Sequence, residues 1–170
     1  MYKVEEIGIQ ETNINYDNKQ TKLYSLNEIV VRDKDLNMIN LDINIENELL
    51  ERFTGDGILV STSTGSTAYN LSFGGSIVYN SFSTLQITPI APINSKVYRS
   101  LVNSVIVPDK KEIKIVPNKE KNMIVTVDGE NNIYENVNEI TTIIDEKKIK
   151  CLRFSHYNFP QKINEKLLTD

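Results

Sequence analysis

The stretch Ile39-Asn40-Leu41-Asp42-Ile43-Asn44-Ile45-Glu46 decides the fold class, because apolar and polar residues alternate through it without a break. Successive side chains of a β-strand point to opposite faces, so this pattern predicts a strand with one buried face and one solvated face. Met123, Val125 and Val127 repeat the alternation, and Asp128-Gly129 then supplies the residues of a tight hairpin turn. The sequence therefore predicts paired β-strands.

Shorter β-type runs recur along the whole chain, and turn residues separate them. The runs are residues 3–9, 23–32, 87–92, 104–107, 113–116, 140–144 and 149–154. The turn signals are Tyr16-Asp17-Asn18, Pro108-Asp109, Pro117-Asn118 and Glu146-Lys147-Lys148. This spacing predicts an all-β fold, a two-layer β-sandwich, rather than alternating βαβ units. We expect one short helix at residues 67–72 and a C-terminal helical tail at 161–168, with residues 1–158 forming the β-domain and 159–170 the tail.

Composition excludes several classes of function. The chain has 170 residues and a formal net charge of −4, which gives no basic surface for a nucleic acid. No apolar run approaches the roughly 20 residues that cross a bilayer, and the N-terminus lacks a secretory layout. The single cysteine, Cys151, offers no disulfide or multi-cysteine metal site, and its alternating surroundings predict a buried, inert thiol. We expect a cytoplasmic protein without membrane or nucleic-acid partners.

A hydroxyl-rich loop, Ser61-Thr-Ser-Thr-Gly-Ser-Thr-Ala-Tyr69, follows the apolar run at residues 58–60. Ser and Thr side chains bond both backbone and ligand, and Gly65 permits close approach of the main chain. We expect Thr67 to cap a short helix beginning at Ala68 and to leave free N–H groups for a polar ligand. An ordinary Ser/Thr-rich turn between two strands fits the same residues.

Two further positions carry acidic groups. Asn27-Glu28 interrupts an apolar strand run, and a buried amide and carboxylate would need partners such as the paired hydroxyls of a ribose. The alternative is that the strand ends at Leu26 and the pair lies in solvent. Asp56 stands between two glycines that free the backbone around it and leave its carboxylate accessible, although an ordinary glycine-flanked turn has the same sequence.

The chain resembles the bacterial NAD kinases, which are ATP- or polyphosphate-dependent enzymes that make NADP. The main resemblance lies in residues 55–78, Gly-Asp-Gly-Ile-Leu-Val-Ser-Thr-Ser-Thr-Gly-Ser-Thr-Ala-Tyr-Asn-Leu-Ser-Phe-Gly-Gly-Ser-Ile-Val. Leu26-Asn-Glu-Ile-Val-Val31 resembles the Asn-Glu motif of that family, and residues 87–92 and 107–109 resemble its later strands. Residues 94–99 are closest to the Gram-positive branch. The resemblance covers residues 25–154.

The resemblance implies a fold and a site. In that family this region is the C-terminal all-β domain, and NAD lies between it and an N-terminal α/β domain. Asn27 and Glu28 match the pair that bonds the adenosine and ribose groups, and Asp56 matches a carboxylate on the ribose hydroxyls at the far side. The residues that match the adenine-holding loop are Thr64, Thr67, Ala68 and Tyr69, with Ser72 nearby. Tyr98 matches an aromatic position often contributed across a subunit contact, which implies a homo-oligomer through the β-domain.

The departures from the family concern catalysis. Ser63 and Ser76 stand where the family often has proline. The catalytic motif of the family is a Gly-Gly-Asp-Gly turn that precedes the Asn-Glu motif. Thr54-Gly55-Asp56-Gly57 is similar to that turn but follows the Asn-Glu motif. We therefore assign no catalytic residue and no metal ligand, and expect the N-terminal α/β domain to be absent. We expect the intact enzyme to use ATP or polyphosphate with Mg²⁺. We expect the isolated chain to show little or no turnover. His156 is interpreted as a surface residue of the tail rather than a base.

Two other functions remain open from the sequence. A stand-alone module that binds or senses NAD without chemistry would carry the same substrate residues. A relative of the lipid kinases would share the two-lobed plan, but the loop at residues 61–69 and the Asn27-Glu28 pair favour a dinucleotide.

Overall fold

Strands dominate the computed structural model, which describes residues 1–154 and 158–169. The strands are β1 (Tyr2–Tyr16), β2 (Lys19–Ser25), β3 (Glu28–Asp33), β4 (Ile39–Ile45), β5 (Glu48–Gly55), β6 (Gly57–Thr62), β7 (Thr84–Ile90), β8 (Val105–Pro108), β9 (Ile113–Pro117), β10 (Lys121–Val127) and β11 (Glu130–Phe154). The helices are α1 (Tyr69–Ser72) and α2 (Phe159–Leu167), and a 3₁₀ turn at Gly65–Thr67 precedes α1. The predicted all-β class, with a short helix and a helical tail, is confirmed.

All the strands belong to one hydrogen-bonded antiparallel sheet that curls on itself. Its order is β5-β4-β9-β11-β10-β3-β6-β7-β8, and β1 pairs with both β11 and β2. Phe53 of β5 and Val107 of β8, from opposite ends of this order, lie in the same buried core cluster. The two parts of the sheet therefore face each other across one core, which fills the interior with branched side chains such as Ile43 and Ile115.

Three predicted runs are divided or joined in the structure. The run at residues 23–32 is divided, because β2 ends at Ser25 and β3 begins at Glu28 after a bend at Leu26 and Asn27. The runs at 140–144 and 149–154 are joined in β11, so the turn predicted at residues 146–148 is wrong. There Gly8 pairs with Lys148 and Gln10 pairs with Ile144, so three residues of β11 stand opposite one residue of β1. Residues 145–147 therefore form a bulge, and pairing with β1 on both sides of the bulge keeps this polar segment in the strand.

Two predicted hairpin turns are confirmed, between β1 and β2 and between β10 and β11. Asp17 and Asn18 have φ of 46° and 56°, and Asp128 and Gly129 have 46° and 92°, the left-handed conformations of tight two-residue hairpins. Cys151 is half-buried rather than fully buried, since it lies near the open end of β11. His156 lies outside the described residues. Among residues 1–154 and 158–169, no helix has the length and apolarity to cross a membrane. The domain boundary at residue 158 stays a prediction.

Candidate functional site

A buried carboxylate, that of Glu28, lies at the centre of the candidate site. Glu28 opens β3 and is 6% exposed, and Val30 and Arg32 follow it on the same face of the strand. These residues line a cavity of about 310 Å³ together with Tyr69 of α1 and Asp128 of the β10–β11 turn. The Glu28 Oε2 atom is buried and has no hydrogen-bond partner among the residues that the structure describes.

The environment of Glu28 favours its neutral form. Burial is the largest cause and the negative charge of Asp128 the second, and together they raise the pKa of Glu28 from 4.5 to about 7. The backbone N–H of Tyr69 and the charge of Lys166 act in the opposite direction on this pKa. The carboxyl group can therefore change its charge near neutral pH, and a ligand hydroxyl that donated to it would favour the ionised form.

Asp128 fixes the backbone of the Asn-Glu motif from the neighbouring hairpin. Its Oδ1 atom accepts hydrogen bonds from the N–H groups of Asn27 at 2.8 Å and Glu28 at 3.1 Å, and its Oδ2 atom accepts from Leu26 N at 2.7 Å. This cap explains why the strand bends at residues 26–27. From the sequence Asp128 is predicted only as a turn residue, because nothing in a single sequence connects positions about a hundred residues apart.

The hydroxyl-rich loop is held against the same bend. Thr62 donates from its backbone N to Asn27 O at 2.8 Å and from its Oγ1 atom to Leu26 O at 2.6 Å. Gly65 packs so closely that a Cβ atom there would overlap the Asn27 carbonyl oxygen. Gly65 therefore permits a close approach of backbone to backbone, where the sequence had suggested an approach to a ligand.

The predicted cap at Thr67 is wrong. Ala68 occupies the N-cap position of α1 without a side-chain cap, and its own N–H donates to Gly65 O at 2.8 Å. Thr67 is buried and contacts the C-terminal tail instead. The Lys166 Nζ atom donates a hydrogen bond to the Thr67 carbonyl oxygen at 2.9 Å. The N–H of Tyr69 faces the Glu28 carboxylate, so it is not free for a ligand.

Asn70, which the sequence analysis missed, anchors α1 to the sheet. It is fully buried, donates from Nδ2 to Ser66 O at 3.2 Å, and accepts from Thr88 Oγ1 of β7 at 2.6 Å. Gly75 leaves room for the Asn70 amide, which a Cβ atom at that position would overlap. These contacts orient Tyr69, the neighbour of Asn70, towards the cavity beside Glu28.

Asp56 lies beside a second cavity, of about 440 Å³, together with Arg32, Tyr69 and Phe73. Its side chain is exposed, as predicted, and its backbone N–H donates to Ile90 O at 3.0 Å. The flanking glycines have a packing role rather than the expected conformational one. A Cβ atom at Gly55 would lie 2.8 Å from the Ala91 carbonyl oxygen, too close for any other residue.

Of the predicted residues, Glu28, Tyr69 and Asp56 line these two cavities, and the others do not. Thr64 is half-buried and lines a separate cavity with Glu5 and Lys148. Ser72 is exposed at the end of α1. Tyr98 is 39% exposed in the segment between β7 and β8, and within this chain it lines neither cavity. Asn27, Thr67 and Ala68 also line neither cavity, and Asn27 and Ala68 adjoin them only as the sequence neighbours of Glu28 and Tyr69.

The donor set does not fit a divalent metal. Within residues 1–154 and 158–169, no three acidic, histidine or cysteine side chains are placed to hold an ion. Glu28 and Asp128 lie together, but Asp128 is engaged by three backbone N–H groups. We derive no chemical step through Mg²⁺ from these residues.

Comparison with known proteins identifies the family. A family model described as the ATP-NAD kinase C-terminal domain matches residues 26–153. The chain belongs to this family. The matched range of the ATP-NAD kinase C-terminal domain begins at Leu26, in the bend that Asp128 caps, and includes both cavities but not α2.

Individual relatives agree with the ATP-NAD kinase assignment. An NAD kinase of Finegoldia magna is 40% identical over 98% of this chain and 63% of its own length. An NAD kinase of Streptococcus agalactiae is 40% identical over 88% of this chain and 54% of its own. The crystal structure of yeast NADH kinase complexed with NADH superposes with a TM-score of 0.82 at 30% identity, over 95% of this chain and 48% of that one. The chain spans about half to two-thirds of the length of these relatives.

One solved structure supports the fold alone. An NAD kinase from Archaeoglobus fulgidus in complex with ATP has a TM-score of 0.75 at 24% identity, over 96% of this chain and 60% of that one. The curled antiparallel sheet is therefore a property of the ATP-NAD kinase C-terminal domain at low sequence identity as well.

Proposed function

We propose that this chain is the NAD-binding part of an NAD kinase, the enzyme that phosphorylates the 2′-hydroxyl of the adenosine ribose to make NADP. The observation that carries the proposal is the buried Glu28 carboxylate, whose Oε2 atom has no partner in the described chain and lines a cavity beside Tyr69. A buried carboxylate oxygen without a partner is costly, and a ribose hydroxyl that donated to it would remove that cost. Membership of the family supplies the dinucleotide.

The described residues support a binding role rather than a chemical one. Glu28, when ionised, accepts ribose hydroxyl donors, and Asn27 contributes an amide at the rim of the loop. The Tyr69 ring offers an apolar face for a base, since it is 42% exposed and contacts Phe73 with its edge. Asp56, in the second cavity, is the acceptor for the other ribose. The group that activates the 2′-hydroxyl is not assigned to any of these residues.

Other parts of the proposal rest on the family alone. The phosphate donor is ATP, with polyphosphate as the alternative, and Mg²⁺ accompanies it. A homo-oligomer forms through the β-domain, with Tyr98 at the subunit contact, and the protein is cytoplasmic. A module that binds NAD without chemistry is the second candidate, because the described residues contain no metal cluster that could serve phosphoryl transfer.

Calorimetric titration with NAD tests the binding function, and a coupled assay for NADP formation separates the two candidates. We expect saturable NAD binding, and expect Asn27→Ala and Tyr69→Ala to weaken it by about 1–3 kcal/mol, the cost of removing a buried partner. Tyr2→Ala is the matched control, because Tyr2 is 67% exposed at the far end of β1. Unchanged affinity in both site variants would dismiss the assignment, and binding of diacylglycerol vesicles instead of NAD would favour a lipid kinase.

A further inference from the structure

We propose that Arg32 binds the pyrophosphate that links the two nucleosides of the dinucleotide. The inference rests on the proposed function and adds a residue that neither the sequence motifs nor the family comparison assigned. It follows from the position of Arg32 between the two cavities, from its lack of an ionic partner, and from the charge of the groups around it.

The position comes from the strand alternation of β3. Glu28 and Arg32 lie on one face, four residues apart, which separates their backbones by about 13 Å. Arg32 and Tyr69 line both the cavity that holds Glu28 and the cavity that holds Asp56. In a dinucleotide with one ribose at each carboxylate, the pyrophosphate is the group between the riboses. Arg32 stands at that intermediate place.

The guanidinium group of Arg32 has few partners in the described part of the fold. Arg32 forms no ion pair with any residue in the described part of the chain, and its Nε atom is buried without a hydrogen-bond partner there. The Nη2 atom makes one long contact, 3.4 Å, to the Tyr69 hydroxyl oxygen. The guanidinium carbon lies 5.8 Å from the centre of the Phe73 ring. A half-buried cation with one long hydrogen bond and one ring contact is available to a ligand.

Gly57 lies against the stem of the Arg32 side chain. A Cβ atom at Gly57 would overlap the Val31 carbonyl oxygen and would lie 2.8 Å from the Arg32 Cγ atom, so glycine accommodates both the backbone of β3 and the stem of Arg32. Gly57 pairs directly with Arg32 across β3 and β6 and follows Asp56 in sequence. The same turn therefore presents the Asp56 carboxylate and accommodates the Arg32 stem.

Charge supports the same assignment. The linings of the two cavities contain three carboxylates, those of Glu28, Asp128 and Asp56, which would repel a pyrophosphate. Of the described residues, Arg32 is the cation common to both linings. A guanidinium group presents a planar set of donors that matches phosphate oxygens, and a charge-assisted bond of this kind is about twice as strong as a neutral one.

The test compares three ligands on the full chain by calorimetric titration. NAD and ADP-ribose both carry the pyrophosphate, while adenosine lacks it. We expect Arg32→Gln to weaken NAD and ADP-ribose by about tenfold or more and to leave adenosine within about twofold, with Arg32→Lys intermediate. Arg52→Gln is the matched control, because the Arg52 side chain is 78% exposed on β5 and should leave all three ligands unchanged. Retained adenosine binding shows that each variant is folded.

Three outcomes would overturn the inference while the proposed function stands. Equal weakening of adenosine would mean that Arg32 acts through the packing of Tyr69. Weakening of NAD without ADP-ribose would move the contact to the nicotinamide, and wild-type affinity of Arg32→Gln for all three would remove the contact altogether. Failure of the wild-type chain to bind NAD or adenosine would instead overturn the proposed function, and this inference with it.

Discussion

Lys166 Nζ donates a hydrogen bond to the Thr67 carbonyl oxygen at 2.9 Å, so the C-terminal helix holds the hydroxyl-rich loop in place. The helix is positioned for this contact by its N-cap Asn158, which accepts from Gln161 N, and by Phe159, whose ring lies 4.2 Å from that of Tyr79 between centroids. The positive charge of Lys166 also lowers the pKa of Glu28. The tail is therefore part of the site, which the sequence did not indicate.

Removing the Lys166 charge should weaken dinucleotide binding. We expect Lys166→Gln to reduce NAD affinity by about fivefold, or about 1 kcal/mol, because the loop loses a charge-assisted bond at a solvent-exposed position. Lys162→Gln is the control on the same helix, since Lys162 lies one turn away and makes no contact with the loop in the described structure. Titration of NAD into both variants checks this, and an equal effect of the two would contradict a specific role for Lys166.

Glu28 should make folding stability depend on pH. Its pKa is about 7 in the folded protein and near 4.5 as a free side chain. The folded state therefore binds more protons between these values, and the free energy of unfolding decreases as the pH rises through that window. We expect the free energy of unfolding, measured with urea, to decrease between pH 5 and pH 8 in the wild type. This decrease should be about 1–3 kcal/mol larger in the wild type than in Glu28→Gln.

The control for that comparison is Glu48→Gln, which removes an exposed carboxylate from β5 and should follow the wild type. If the free energy of unfolding of the wild type and of Glu28→Gln depended on pH in the same way, Glu28 would not be a buried carboxyl group with a raised pKa.

Asp128 should stabilise the Asn-Glu motif through its three backbone hydrogen bonds. We expect Asp128→Ala to lower the free energy of unfolding by about 1–3 kcal/mol and to abolish NAD binding, because the N–H groups of residues 26–28 lose their acceptor. Asp128→Asn keeps an acceptor oxygen and tolerates the φ of 46°, so it should lose less than half as much. Thermal unfolding of the two variants tests this prediction. Equal losses of stability would mean that the effect comes from the turn and not from the hydrogen bonds that the Asp128 side chain accepts.

Gly65 should be irreplaceable because of the Asn27 carbonyl oxygen behind it. We expect Gly65→Ala to cost about 1–3 kcal/mol of stability and to weaken NAD binding, since the loop must move away from the motif to fit a methyl group. Gly74→Ala is the control: φ there is 75° with nothing within 4 Å, so it should cost about 1 kcal/mol and keep its affinity for NAD. Full affinity in Gly65→Ala would show that the loop need not contact Asn27.

Local alternation was enough to predict most of the strands, because each strand of this sheet has one face on the core. Ile39, Leu41 and Ile43 are all fully buried, as period two requires. Residues 23–32 were interpreted as one apolar run, with a strand end at Leu26 as the alternative, and the structure ends β2 at Ser25 and begins β3 at Glu28. The bend is imposed by Asp128, and a contact between positions so distant in sequence leaves no local pattern.

The site was predictable as a set of residue types but not as an arrangement. Glu28 and Tyr69 were singled out from their motifs, and the structure places both in the lining of one cavity. Arg32, Asn70 and Lys166 were missed because their roles depend on which elements pack together. A lysine of an amphipathic tail and an arginine at the end of a strand are ordinary surface residues in a sequence.

Proton release on NAD binding shows whether the Glu28 carboxylate bonds the ligand. Calorimetric titration at pH 7 in buffers of different ionisation enthalpy counts the protons exchanged. Ribose hydroxyl donors favour the ionised carboxylate, so the account predicts release of a fraction of a proton by the wild type and none by Glu28→Gln. Equal proton exchange in the two proteins, or uptake by the wild type, would contradict it.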